Sequence, residues 1–423
     1  MEQAIAYSTL AITISLAVSR PRLGLSGLRL TPGGAAVIGV VLLFLTGILS
    51  LPDLVLSARL QWRPLLALTS IMVMAGLVQE SRVLDRLAAS IERLALRSSA
   101  HVVFGAIFGV SMLVAALLNN DAEILLMTPF AVLLARRLYP SQPRVHLAFA
   151  FAVFQAPGIA PFFTSNPMNM LVAEYGGLSF NDYARWMLLP SLVASVLTFT
   201  ASWLYFRRDL ASARQRAQEP AGSRPQRGQA AALLLLLCVF ASYPIVAFFK
   251  GPVWGVSVAG ALIALLIARQ THIAPPRRIV RHVSLDILVF LWGVFVVVGG
   301  LRQVGVVDRL SGLYDLAPAG SASHTMLVGA VSALGSALID NHPMSVLNLM
   351  SLGSSSEPRA LMAALVGGDL GPRLLPIGSL AGLLWIAILR RFDLHVPLRT
   401  FVGVGALTML PALFAGLLAL HYW

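Results

Sequence analysis

The stretch Leu117-Leu118-Asn119-Asn120-Asp121 interrupts a long apolar region, and Leu338-Ile339-Asp340-Asn341-His342 repeats it in the second half of the chain. Apolar segments flank both stretches: 101–118 and 122–135 around the first, 324–339 and 343–352 around the second. Polar and ionisable side chains are costly inside hydrocarbon, so such a cluster indicates a functional site. Two chance polar turns between membrane helices are the alternative. The repeated flanking sequence favours an internal duplication instead.

The composition supports a membrane protein. The chain is 57% hydrophobic and only 12% charged, which excludes an ordinary soluble domain. A net charge of +13 would suit nucleic-acid binding, but the basic residues lie in short loops between apolar runs. The positive-inside rule explains that pattern, so the expected partner is the lipid bilayer and no nucleic acid is expected.

Sequence signals for a cofactor or a metal are missing. Cys238 is the single cysteine, so neither a disulfide nor a thiolate cluster can form within the chain. The chain has no P-loop, H-E-x-x-H or paired C-x-x-C motif. We therefore expect no cofactor, no metal site and no catalytic residues.

Apolar runs predict ten membrane spans and two paired segments. The first half, 1–206, holds spans at about 3–18, 33–52, 64–80, 145–175 and 186–206, with the paired segment 101–135. The second half, 229–423, holds spans at about 229–249, 253–269, 284–301, 360–389 and 401–421, with the paired segment 324–352. Between them, 207–228 is rich in Arg, Pro and Gly and is interpreted as a flexible cytoplasmic linker. The excess of basic residues on the side of this linker then predicts that both termini are periplasmic in a bacterial-type inner membrane.

Each half has an odd number of spans, so two homologous halves must have opposite orientations. The arm 343–352 would be roughly 15 Å of helix, against a hydrocarbon core of about 30 Å. We therefore expect both paired segments to be re-entrant helical hairpins, although 101–118 is long enough for a full span. The predicted fold class is an all-α polytopic membrane protein: an inverted repeat of two five-span halves, with two re-entrant hairpins and two interrupted helices.

Four breaks are expected to meet near the middle of the membrane. They are the two hairpin tips, Thr164-Ser165-Asn166-Pro167 and Pro376-Ile377-Gly378-Ser379. Free backbone groups at such breaks are tolerated only around protein or a water-filled cavity, and helix ends there carry partial charge. The candidate solute-binding residues are Asn119, Asn120, Ser165, Asn166, Asn341, Gly378 and Ser379.

The candidate proton-coupling residues are Asp121, Asp340, His342, Glu123 and Asp369. Helix N-capping is the alternative role for both Asp121 and Asp340. His342 has the side chain that titrates nearest neutral pH, and a cap is its alternative. A structural ion pair with Arg373 is the alternative for Asp369.

These stretches resemble the ArsB family of arsenite/antimonite efflux permeases, in the ion-transporter superfamily. The matching motifs are Asn120-Asp121 with Thr128-Pro129, Ser165-Asn166 with Asn169, Phe180 and Tyr183-Ala184, and Asp369-Leu370-Gly371-Pro372 with Pro376-Ile377-Gly378-Ser379-Leu380-Ala381 and Leu383-Leu384-Trp385. The resemblance covers nearly the whole chain. Two departures are Asp340-Asn341-His342-Pro343, where the family has Asn-Asn-Met-Pro, and Ala122-Glu123, where small residues usually follow Asn-Asp.

The resemblance implies export of arsenite and antimonite driven by the proton gradient, with no enzymatic activity. Some relatives work with a separate ATPase subunit, while nothing in this chain binds ATP. The alternatives are a Na⁺/H⁺ antiporter or organic-anion transporter on the same scaffold, a passive channel, and a membrane hydrolase using Ser26 of Gly24-Leu25-Ser26-Gly27.

Overall fold

A computed structural model describes residues 2–19, 21–23, 28–95, 98–214, 228–353 and 357–423. Within these residues the chain is almost entirely helical, with one small antiparallel ladder between β1 (Arg22–Leu23) and β2 (Leu28–Arg29). Ser26 of the hydrolase alternative lies outside the described residues, as does most of the predicted linker, 215–227.

The first half contains nine α-helices among its described residues: α1 (Glu2–Ser19), α2 (Pro32–Leu45), α3 (Leu51–Glu80), α4 (Val83–Ala95), α5 (Ala100–Leu117), α6 (Asn120–Leu138), α7 (Pro143–Gln155), α8 (Pro167–Tyr175) and α9 (Phe180–Ala211). A 3₁₀ turn, Phe163–Ser165, lies between α7 and α8.

The second half contains α10 (Gln229–Phe248), α11 (Val253–Thr271), α12 (Pro276–Val280), α13 (Leu285–Gln303), α14 (Val306–Tyr314), α15 (Ala322–Ile339), α16 (Asn341–Leu352), α17 (Pro358–Leu370), α18 (Leu380–Arg391) and α19 (Leu398–Tyr422). Two 3₁₀ turns, Gly371–Arg373 and Pro376–Gly378, separate α17 from α18.

The helices match the predicted spans in number and order. The ten spans correspond to eight continuous helices and two interrupted pairs, α7–α8 and α17–α18, while the paired segments correspond to α5–α6 and α15–α16. By length and composition alone, 8 helical segments of the described chain can cross a membrane, a different set that includes α5 and α15 of the paired segments; α1 and α2 are shorter apolar helices. The polytopic, all-helical class is therefore confirmed. Inversion of the halves and re-entry of the hairpins stay predictions.

The boundary between the second and third spans differs from the prediction. α2 ends at Leu45, and Gly47 adopts φ 76°, a left-handed conformation that favours glycine. α3 then begins at Leu51, where the Ser50 backbone N–H donates to Asp53 at 2.8 Å in a capping box. The helix continues through Pro64, where the predicted span begins, so the apolar run alone misplaced this boundary by more than two fifths of the 30-residue helix.

Long-range helix packing gives the fold its frame. α9 lies along α19 and α15 along α17, while α2 packs on α13 and α3 packs on α11. Glycines allow α17 to approach α15 at backbone distance. A Cβ on Gly367 would collide with the Gly329 carbonyl, and one on Gly371 would collide with the Ala333 carbonyl. These two helices therefore contact each other directly through their main chains.

Candidate functional site

Four helices begin around one central cavity: α6, α8, α16 and α18. Each has a polar N-cap whose side chain accepts a hydrogen bond from its own first turn: Asn119 from Ala122 N at 2.7 Å, Asn166 from Met168 N at 3.1 Å, Asp340 from His342 N at 2.9 Å and Ser379 from Gly382 N at 3.0 Å. Asn, Asp and Ser favour this position because they satisfy free N–H groups. The positive ends of four helix dipoles therefore converge on one place.

The cavity between these helix ends has a volume of about 60 Å³. That is space on the order of four water molecules, enough for a small solute. It is lined by Asn120, Asp121, Ile124, Phe154, Pro157, Gly158, Asn166, Pro167, Asn341, His342, Asp369, Pro372, Arg373, Ser379 and Ala381. The two hairpin tips and the two predicted helix breaks therefore meet at a single site.

Asp369 connects the two halves of the chain at this cavity. Its carboxylate accepts hydrogen bonds from Asn166 Nδ2 at 2.8 Å, Asn169 Nδ2 at 2.9 Å and the Ala160 backbone N–H at 2.9 Å. Three donors from the α7–α8 region thus hold a side chain of α17. A carboxylate with this many donors is well stabilised in a buried position.

Arg373 also lines the cavity, but its hydrogen bonds differ from the predicted pairing with Asp369. Its guanidinium donates to Thr198 Oγ1 at 3.1 Å and to the Gln155 carbonyl at 2.6 Å. The side chain is only 4% exposed, and the backbone carbonyl of Arg373 lies against Gly405 of α19. Arg373 therefore brings a buried positive charge to the cavity while its donors are directed to α7 and α9.

Asp340 and His342 form a buried pair at the tip of the second hairpin. His342 Nδ1 lies 2.7 Å from Asp340 Oδ1, and both side chains are less than a tenth exposed. Asp340 has φ 76°, which is strained for a residue with a side chain. His342 lines the cavity, whereas Asp340 contacts His342 and caps α16 without lining the cavity. The capping alternative therefore applies to Asp340.

The structure places several predicted site residues away from the cavity wall. Asn119 is occupied as a cap, Ser165 donates to the Ala116 carbonyl at 3.0 Å, and Gly378 packs on Pro372 and Ala337. Glu123 is fully buried and does not line the cavity. These residues shape the breaks around the cavity and do not face its interior.

Two residues that matter for the geometry were missing from the predicted site. Asn169 donates to both Asp369 and the Tyr183 hydroxyl, the latter at 2.8 Å, and Tyr183 donates to the Ala160 carbonyl at 3.2 Å. Asn169 follows Asn166 by three residues, so a helix starting at Pro167 brings both to neighbouring positions. That spacing was the available sequence signal.

A second, larger cavity of about 580 Å³ lies beside the α7–α8 break. It is lined by residues from α3, the 3₁₀ turn before α8, α8 itself, the start of α9, and the α10–α11 turn with the start of α11; they include Arg63, Thr164, Glu174 and Lys250. Arg63 and Glu174 form an ion pair of 3.0 Å across it. α9 ends and α10 begins next to 207–228, so this cavity lies at the opposite end of those helices.

Comparison with known proteins gives consistent results. A family described as arsenical pump membrane protein matches residues 9–423. The arsenical pump membrane protein of Escherichia coli K12 is 29% identical, covering 98% of both chains, and a putative one from Bacillus subtilis is 23% identical, covering 72% of this chain and 75% of its own. The crystal structure of the YdaH transporter of Alcanivorax borkumensis superposes with a TM-score of 0.62 at 16% identity, covering 99% of this chain and 96% of its own, a similarity of fold alone.

Proposed function

This chain belongs to the ArsB family of arsenical pump membrane proteins, and from that premise we propose that it exports trivalent arsenite and antimonite from the cytoplasm in exchange for protons. The relatives are named as membrane pumps of arsenicals, which supports a transporter of arsenical solutes in a bacterial membrane. The trivalent substrates, the proton coupling and the direction are the proposal.

The observation that carries the proposal is the chemistry of the small cavity. Asn341 Oδ1 is buried at the cavity and has no hydrogen-bond partner, so it is free to accept from a hydroxyl of a solute. Asn120 and Ser379 add an amide and a hydroxyl, and four helix N-termini favour the solute's oxygen atoms. Arsenite is a small neutral trihydroxide at neutral pH, which suits such a site without any thiolate.

Asp121 is the best-placed proton carrier in this proposal. It lines the cavity in the first turn of α6, facing the same space as His342 and Asn341. A carboxyl that loses its proton on solute binding, and regains it afterwards, would couple the two fluxes. Asp369 holds the two halves together, and the His342–Asp340 pair sets the charge of the opposite wall.

An inverted repeat is part of this proposal, because it would allow alternating access by movement of one bundle against another. Asn119 and Asp340 cap equivalent helices, and so do Asn166 and Ser379. The packing is also reciprocal, since α2 meets α13 while α3 meets α11. In this arrangement 207–228 is cytoplasmic, both termini are periplasmic, and the 580 Å³ cavity opens to the periplasm.

The alternatives differ from the proposal in specific ways. The cavity at the helix N-termini, about 60 Å³, is far smaller than the pockets of about 300–1,000 Å³ that hold drug-sized ligands, so a bulky organic anion does not fit there. A Na⁺/H⁺ antiporter differs in that sodium alone, without any arsenite, would drive proton movement. A passive channel differs in that it cannot accumulate solute.

The test is transport by the purified chain in liposomes, with arsenite measured by mass spectrometry. We expect accumulation when the lumen is acidic, collapse on addition of a protonophore, and no requirement for ATP. Asp121→Asn should weaken the dependence on the pH gradient, while Asp315→Asn, a matched change at an exposed position, should behave as the wild type. Sodium-driven proton movement without arsenite transport would contradict the proposal, and dependence on an added ATPase would establish that partner.

A further inference from the structure

Glu123 is a buried acid that the solute site does not use. It lies in α6 two residues after Asp121, and its side chain is 0% exposed. Successive residues are about 100° apart around a helix axis, so residues two positions apart are on nearly opposite faces. Glu123 therefore points away from the face on which Asp121 lines the cavity. Both of its carboxyl oxygens are buried without a hydrogen-bond partner.

The neighbouring polar group is the hydroxyl of Ser111, on the other arm of the same hairpin. Ser111 is itself 0% exposed, and its Oγ also has no partner. Among the described side chains of α3, α4, α5, α7 and α18, which pack on α6, no titratable or charged group acts on Glu123. The side chains of 84–88 and 92 on α4 are outside this description.

The buried carboxyls of this protein differ in how many donors they receive. Asp369 accepts three hydrogen bonds and Asp340 accepts from both the backbone and the ring of His342, whereas Glu123 accepts none. An ionised carboxylate without donors is very costly in an apolar interior, so the group holds a proton instead. As a neutral acid, Glu123 becomes a donor, and Ser111 Oγ is the acceptor within reach.

We propose that Glu123 and Ser111 form a second proton-binding site inside the α5–α6 hairpin, separate from the solute cavity and loaded once per transport cycle. The proposal rests on the proton-coupled export proposed above. The step is a simple acid dissociation. The Glu123 carboxylic acid gives one proton to cytoplasmic water when the hairpin moves to a hydrated position. The carboxylate then takes one proton from the other side of the membrane before it is buried again.

One carboxyl and one hydroxyl supply too few ligands for a metal ion, which takes at least four to six. A proton needs only one of each. The expected consequence is one more proton exchanged for each solute than Asp121 alone provides.

The test measures proton stoichiometry in liposomes containing the full chain, with the membrane potential clamped at zero. For a neutral solute, each coupled proton multiplies the limiting accumulation ratio by ten per unit of pH gradient. We expect Glu123→Gln to lower that ratio tenfold at a gradient of one unit. The control Asp315→Asn, at an exposed position, should leave the ratio unchanged.

Infrared spectroscopy of the wild type gives an independent readout. A protonated-carboxyl band should disappear in Glu123→Gln and shift in Ser111→Ala, because the hydrogen bond to the hydroxyl is lost. An unchanged accumulation ratio in Glu123→Gln overturns the coupled site. If Glu123→Gln fails to fold, Ser111→Ala still provides a test. A carboxyl band at the same position in Ser111→Ala as in the wild type would overturn the proposed site. If the wild type accumulates no arsenite at all, the proposed function fails, and the infrared band still decides whether Glu123 holds a proton.

Discussion

Asp369→Asn tests the hydrogen-bond network that joins the halves at the cavity. The substitution preserves shape but replaces one acceptor oxygen with an amide that donates. Oδ2 of Asp369 accepts from Ala160 N and Asn169, so the remaining oxygen is best placed there. The new NH₂ group then faces the Asn166 NH₂ group, which accepts nothing.

The expected loss of stability in Asp369→Asn follows from the number of hydrogen-bond donors that meet this side chain. Asn166 cannot reverse its amide without cost, because its Oδ1 caps α8 through Met168 N. One hydrogen bond to a charged acceptor is lost, worth about 1.5–3 kcal/mol, and the other two weaken because the acceptor is neutral. We expect the free energy of unfolding to fall by about 2–4 kcal/mol. Arsenite transport should fall with it.

The assay is denaturant titration of the purified protein in mixed micelles, in a double-mutant cycle with Asn166→Ser. Serine keeps a cap acceptor but removes the donor that meets Asp369 Oδ1. Residues in direct contact should show an interaction energy of roughly 0.5–3 kcal/mol. Purely additive losses, or an unchanged Asp369→Asn protein, would refute the network as described.

Three further changes test other parts of the structure. Gly371→Ala should destabilise the protein by about 1–3 kcal/mol or more in denaturant titration, because its Cβ collides with the α15 backbone. The control Gly403→Ala, where nothing lies within 4 Å of the added atom, should be neutral or slightly stabilising. Asp121→Asn should retain arsenite binding, by isothermal calorimetry, within a few-fold; complete loss of binding would assign Asp121 to the solute instead of the proton. In a Cys238→Ser background, Arg63→Cys, at an exposed position that lines the 580 Å³ cavity, should react with an impermeant maleimide added from the side opposite 207–228. Reaction only from the other side would contradict the proposed orientation.

The helix breaks were predictable from sequence because the signals are local. Pro and Gly inside apolar runs, with Asn or Ser just before a new run, mark helix N-termini without any knowledge of the fold. Asn119, Asn166, Asp340 and Ser379 all cap helices in the structure. Their convergence on one cavity was also expected, since exposed backbone groups in hydrocarbon must share a polar space.

The partners of the buried charges were not predictable in the same way. Asn169 meets Asp369 across 200 positions of sequence, and Arg373 meets Thr198 across 175. Such contacts depend on how α9, α17 and the two broken helices pack, and local sequence carries no record of that. The nearby Asp369–Arg373 spacing suggested a pair, but the structure gives each side chain partners from the first half.

The glycine contact between α15 and α17 restricts how this protein can move. Where two main chains touch without intervening side chains, sliding or rotation of either helix would break the backbone contacts at Gly367 and Gly371. We therefore expect the second hairpin and the segment bearing Asp369 to move together, and through Asp369 to take Asn166 and Asn169 with them. Release of a bound solute then requires an opening elsewhere, and the larger cavity, between α8 and the α10–α11 turn, is the space available for one.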